Sequence, residues 1–142
     1  MSTLHRPDSP TAVDTAPLLR LVGAVLAVAV MVIHVVDQGG IGALKDVAYI
    51  GYGYWVLEAA GVLAALGLVV PWPRLHPPSW LLALGVAAGP LIGYVLTRGP
   101  GLPNAMDDKG NWWEPLGVAS LIVEGLLLLL ALGALARTRR PH

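Results

Sequence analysis

The chain has 142 residues, 56% hydrophobic and 13% charged, with a formal net charge of zero. Soluble domains carry roughly 25% charged residues, so this composition belongs to a membrane protein, and no overall basic field points to nucleic acid. Cysteine is absent, which excludes disulfides, thiolate metal sites and CxxC redox chemistry.

Residues 1–17 form a polar tail containing prolines, and an apolar run over 18–36 follows. That run is longer than the roughly 7–15 residues of a signal-peptide core and no small-residue cleavage site follows it, so it reads as a retained first span. Further apolar runs cover 47–70, 79–97 and 115–136, and a basic tail covers 137–142. Each run has the roughly 17–25 residues that about 30 Å of hydrocarbon requires of a helix. Glycine and proline inside them count against soluble helices, but spanning helices tolerate both. The expected fold is all-α: a polytopic membrane protein built as a four-helix transmembrane bundle. Buried helices of a soluble protein are a poor alternative, because almost no polar face is left to meet water.

Arginine and lysine in the short connections predict orientation. Arg6, Arg20, Arg74, Arg137, Arg139 and Arg140 gather at one end, against Lys45, Arg98 and Lys109 at the other. Both termini are therefore expected in the cytoplasm of a bacterial cell. Trp72 and Trp80 then flank the inner loop, while Trp112 and Trp113 lie at the outer interface, where amphipathic rings anchor.

The outer loop between the third and fourth spans holds unusual chemistry. Gly99, Pro100, Gly101, Pro103 and Asn104 predict tight turns directly after the third span. Asp107 and Asp108 follow, then Trp112 and Trp113. Glu114-Pro115 offers an acid and a proline at a helix start, matching the helix dipole. The segment reads as an interfacial linker with a tryptophan anchor, or as a lid over a ligand.

The polar residues of the spans all belong to the outer half. Glu58 and Glu124 lie well inside the second and fourth spans. His34 is near the outer end of the first, with Asp37 on the same face, and Arg98 closes the third with Tyr94 a turn away. Helical spacing sets Tyr54 beside Glu58, Ser120 beside Glu124 and Tyr94 beside Arg98. An ionisable group in hydrocarbon costs about 2.5–3.5 kcal/mol, so both glutamates are expected to face the bundle interior. His34, Asp37, Tyr54, Glu58, Tyr94, Arg98, Ser120 and Glu124 thus outline a polar pocket open to the outer face. The plain alternative is hydrogen-bonded glue between helices, and His34 alone reads more readily as an interfacial side chain. No cofactor is identified. A haem with two histidine ligands is disfavoured because His5, His76 and His142 are expected at the opposite end from His34, and no metal site is assigned.

Two further patterns concern assembly. The second and fourth spans superpose with Gly51, Glu58 and Gly67 falling on Gly117, Glu124 and Gly133, as if the bundle were two duplicated hairpins of the same sense. Abundant leucine and glycine make chance similarity the competing explanation. Gly85, Gly89 and Gly93 form a small-residue stripe on the third span, with Pro90 predicting a kink. The stripe is expected to pack within the chain, or else against a second copy or a partner membrane protein.

The segments RGPGLPN, NWWEPLG and SLIVE, between Arg98 and Glu124, resemble a feature of small four-span membrane proteins of actinobacterial type; the resemblance implies a hydrophobic integral membrane protein and attaches no activity. No GxSxG, HExxH or Walker-type motif occurs. The residues leave three function classes, in this order: a non-enzymatic accessory or regulatory subunit, a small transporter or ligand-binding protein using the two glutamates, and an enzyme acting on a lipid or quinone.

Overall fold

The computed structural model of the chain describes residues 16–138. Four helices hold most of them: α1 (Ala16–Gln38), α2 (Ala48–Val69), α3 (His76–Arg98) and α4 (Pro115–Thr138), with a 3-10 turn over Pro73–Leu75. All four helices are long and apolar enough to cross a membrane. The chain is an all-α, multi-pass membrane protein, and its helices agree with the expected spans to within a turn. The tail residues His5, Arg6, Arg139, Arg140 and His142 lie outside the described residues.

Local chemistry sets the helix ends. Gly39 (φ 99°) closes α1. Its N–H donates to Val36 O at 3.1 Å and that of Gly40 donates to Val35 O at 2.9 Å, the paired bonds of a Schellman motif, which needs a left-handed residue at this place. Val70 turns extended ahead of Pro71, as residues before proline do. Pro77 and Pro78 fall in the first turn of α3, where a missing N–H is harmless. At the same end Arg20 Nη1 donates to His76 Nδ1 at 2.9 Å, and His76 Nε2 donates to Val70 O at 3.1 Å.

Consecutive helices pack side by side, α4 returns to α1, and α1 meets α3 across the diagonal. The bundle axis is filled largely by alanine: Ala27, Ala64, Ala83, Ala87 and Ala131 have no exposed surface, and Val30, Leu68, Val86 and Leu127 close the space between them. Lipid tails are as apolar as leucine, so helices in a bilayer gain by close backbone approach, which small residues permit. The large aliphatics Leu18, Val25, Val56, Ile122 and Leu129 point outward.

Trp80 flanks the α2–α3 connection as expected, but its ring turns inward: it is 4% exposed and packs in the core. Its ring occupies the place that a side chain at position 23 would take, with a Cβ there only 2.6 Å from Trp80 Cη2, so Gly23 is what admits it. Contrary to expectation, the stripe of Gly85, Gly89 and Gly93 does not pack within the chain, for no atom outside the local helix lies within 4 Å of a Cβ built at any of the three. The inward face of α3 is instead Ser79, Trp80, Ala83, Val86, Ala87 and Tyr94, which turns the glycines toward lipid.

The buried faces of α2 and α4 correspond only in part: Ala64 and Leu68 of α2 and Ser120 and Glu124 of α4 are buried, while their counterparts Leu130, Ala134, Tyr54 and Glu58 are not. Gly51, Gly61 and Ala65 are buried in α2, and their counterparts Gly117, Leu127 and Ala131 are buried in α4. Gly51 and Gly117 also act alike. A Cβ at Gly51 would collide with Leu44, and one at Gly117 would meet Tyr94 Cε2 at 2.7 Å, so each admits a neighbouring segment at the loop end of the bundle. The match fails at the cytosol-predicted end, where Gly67 faces Ser79 and Gly133 faces open space.

Candidate functional site

The polar side chains His34, Asp37, Tyr54, Glu58, Tyr94, Arg98, Ser120 and Glu124 collect at the end of the bundle that carries the α1–α2 and α3–α4 loops, but in three separate settings; Arg20, His76 and Ser79 lie at the opposite end. The first is in the core. Glu124, about 13 Å along α4 at 1.5 Å per residue, is 1% exposed. It accepts a short hydrogen bond from Ser120 Oγ one turn earlier, the pairing expected from helical spacing. His34 Nε2 stands 3.8 Å from Glu124 Oε1, within ion-pair range but beyond a direct hydrogen bond. His34 Nδ1 lies 2.9 Å from Val30 O. A carbonyl only accepts, so Nδ1 carries a proton and Nε2 is the nitrogen turned to Glu124. At 7% exposure His34 is a core residue joining α1 to α4, which corrects its reading as an interfacial side chain. Tyr54 presses edge-on against its ring, with centroids 5.0 Å apart.

The second setting is the α1–α2 seam. Tyr54 OH donates to Asp37 Oδ2 at 2.6 Å, rather than to Glu58 one turn along α2, and Lys45 Nζ pairs with the same oxygen at 3.0 Å. Glu58 finds Gln38 instead, whose Nε2 donates to Glu58 Oε1 at 2.5 Å and to Gly40 O at 3.2 Å. Side chains on a helix lean toward its N-terminus, so in an antiparallel pair Gln38 leans down and Glu58 leans up until they meet. Contacts of Gly61 with Ala27 and of Tyr54 with Asp37 fix the register. By those contacts Glu58 is level with Val30 to Ile33, about 7.5–12 Å short of the end of α1 at 1.5 Å per residue.

Glu58 also stands in the wall of a groove of about 450 Å³ between α1 and α2, lined otherwise by apolar side chains such as Met31, Val35, Trp55, Ala59 and Val62. The groove opens on the lipid-facing side, where Val32, Val36 and Val62 are exposed. It is an open groove and not an enclosed pocket, since Ile41, Val36 and Val32 in its wall are exposed. The two intramembrane carboxylates therefore do not floor one pocket. Glu124 is enclosed with His34, and Glu58 borders the groove.

The third setting is the α3–α4 loop. Arg98 Nη1 is 3.6 Å from Asp108 Oδ2 and Nη2 is 3.6 Å from Glu114 Oε2, while the guanidinium lies 4.3 Å over the Tyr94 ring. Tyr94 OH donates to Trp112 O at 2.6 Å, and Gly110 N donates to Arg98 O at 2.8 Å. Glu114 caps α4, accepting from Leu116 N at 3.0 Å and Gly117 N at 2.7 Å. Gly101 and Asn104 take positive φ in the expected turns. Trp113 is 85% exposed, as an anchoring ring should be, and Asp107 is exposed. Bound at this many points, the loop is a clasp over the ends of α3 and α4. Arg98 is already held by two carboxylates, so it is not a free attractor of anions.

Gln38, Lys45 and Trp55 belong to the site and were not singled out by sequence. Gln38 and Lys45 lie at the first connection, and the available signal was their nearness to Asp37. No group of three His, Asp or Glu side chains among the described residues could hold a metal ion. These features define a four-helix membrane protein with a core carboxylate–imidazole contact and a lipid-facing groove bearing one carboxyl. No family model, curated protein or solved structure matches the chain.

Proposed function

We propose that the chain is a non-enzymatic binding protein of a bacterial plasma membrane that takes a membrane-dissolved ligand from the bilayer into the α1–α2 groove. One observation carries it: Glu58 puts a carboxyl into the wall of an otherwise apolar groove that faces lipid. Support against conduction comes from the bundle axis, which side chains fill. Support against acid–base catalysis comes from His34, whose ring nitrogens face Val30 O and Glu124 inside the core. An accessory-subunit role through Gly85, Gly89 and Gly93 has the open face of α3 in its favour but no occupant to name, so it stands second.

Native mass spectrometry of the full chain in mild detergent tests the groove. One small molecule retained per chain is expected, and Ala59→Trp, which fills the groove from an exposed position, should release it. A chain that carries nothing, or a variant that retains the molecule equally, overturns the proposal.

The orientation proposed has both termini in the cytoplasm. Support comes from Arg20, Arg74 and Arg137 together with the tail arginines Arg6, Arg139 and Arg140, six basic residues against Lys45, Arg98 and Lys109 at the loop end. Because the chain has no cysteine, single cysteines report its topology cleanly. In intact cells Asp107→Cys should react with a membrane-impermeant maleimide, and Arg74→Cys only after permeabilisation. The reverse pattern inverts the topology.

A further inference from the structure

Three acids lie within the four helices: Asp37, Glu58 and Glu124. Asp37 has Lys45 at 3.0 Å and Glu124 faces His34 at 3.8 Å. Among the described residues no basic side chain pairs with Glu58. Its Oε1 is engaged by Gln38, and its Oε2 accepts no hydrogen bond within the described residues. The neighbouring acceptor, Gln38 Oε1, is buried without a donor. Glu58 Oε2 thus has no donor in the wall of a groove open on its lipid-facing side, and behind it the buried Gln38 Oε1 has none either.

The rest of the groove narrows what could supply those donors. Trp55 is one turn from Glu58 on the same face of α2 and also lines the groove. Its indole is held in place by Nε1 donating to Ala43 O at 3.0 Å and by Tyr52 edge-on at 5.7 Å. An indole face beside a carboxyl attracts organic cations twice over, through the ring quadrupole and through charge. An anion finds no basic side chain in the lining of the groove. A divalent metal ion lacks ligands, since no cluster of three is formed. The remaining walls are hydrocarbon side chains that suit an apolar body.

Resting on the groove as the binding site, we infer that its occupant is a lipophilic organic cation, with its charge on Glu58, its cationic end against Trp55 and its apolar body between α1 and α2. A quaternary or protonated amine meets the carboxylate in both forms. The protonated amine also brings N–H donors for Glu58 Oε2.

The test uses the full chain in nanodiscs of zwitterionic lipid with two probes of nearly equal shape and opposite charge, tetraphenylphosphonium and tetraphenylborate, measured by equilibrium binding. The phosphonium should bind saturably at one per chain and the borate should not. Glu58→Gln keeps an acceptor for Gln38, so it should fold and lose at least tenfold in phosphonium affinity, while Glu58→Asp keeps part of it. Should Glu58→Gln fail to fold, Ala59→Trp, which leaves the carboxyl in place, must abolish binding. Equal binding of both probes, or binding unmoved by Glu58→Gln, overturns the cation while leaving the groove intact. No phosphonium binding in a chain that releases a retained molecule on Ala59→Trp has the same meaning. No phosphonium binding with no retained molecule overturns groove and cation together, and a second copy of the chain found seated on α1–α2 overturns the small-molecule occupant.

Discussion

Glu124→Ala is expected to destabilise the bundle by about 3 kcal/mol, measured by denaturant or thermal unfolding in detergent. Truncating a fully buried side chain of this size leaves a cavity and by itself costs about 2–5 kcal/mol in a core that cannot collapse. The alanine-lined axis allows little collapse, because fully buried residues such as Ala27, Ala83 and Ala87 have no longer side chain to swing into a cavity. His34 Nε2 loses its facing group and Ser120 its acceptor, although Ser120 can turn back to a carbonyl in the preceding turn of its own helix. Glu124→Gln should cost only about 1 kcal/mol, since it keeps the volume and an acceptor for Ser120. Glu124→Leu should fall between the two, filling the space but leaving His34 without a polar neighbour. That ranking is the signature of a carboxyl that holds α1 to α4. Glu124→Gln and Glu124→Leu costing equally little, with Glu124→Ala alone costly, would mean that volume alone matters here.

The same residue shows where sequence stops being informative. Ser120 and Glu124 lie one turn apart on one helix, so their hydrogen bond was readable from spacing, as were the Arg98–Tyr94 contact and the Glu114-Pro115 cap. Each is local, and helical geometry fixes it without knowledge of any partner. Tyr54 and Glu58 have the same spacing and do not bond, because Asp37 on α1 offers Tyr54 a closer acceptor and Gln38 engages Glu58. Contacts between helices depend on how each helix is rotated about its own axis. In soluble bundles an amphipathic stripe reveals that rotation, but in these helices leucine, valine and alanine occur all round. The burial of His34, the seat of Trp80 against Gly23 and the outward turn of Gly85, Gly89 and Gly93 therefore required the structure. Spans were legible for the opposite reason: length and apolarity suffice to identify a helix that crosses a membrane.

Arg98→Ala is expected to cost about 2 kcal/mol and, more tellingly, to loosen the α3–α4 loop without unfolding the spans. The side chain is only 12% exposed, so its removal strips packing from Tyr94 as well as charge from Asp108 and Glu114. The ion pairs, at 3.6 Å with a half-exposed Asp108, contribute at most about 1 kcal/mol each. Stacking on Tyr94 contributes roughly 0.5–2 kcal/mol, depending on how dry the ring face is. Glu114 keeps its bonds to Leu116 N and Gly117 N, so α4 still starts in the same place. What gives way is the middle of the loop, where the Asp108 carboxylate is left with no partner, although Gly110 N keeps its backbone bond to Arg98 O. Hydrogen exchange should therefore quicken at the amides of 105–111 and remain slow in α3 and α4. Arg98→Lys should rescue little, because a compact ammonium reaches one carboxylate and lacks the flat face that lies on Tyr94. Exchange that quickens throughout α3 instead would make Arg98 part of the bundle's own stability. Exchange confined to the loop assigns the guanidinium to the clasp, and with it the tight turns and paired tryptophans between the last two spans.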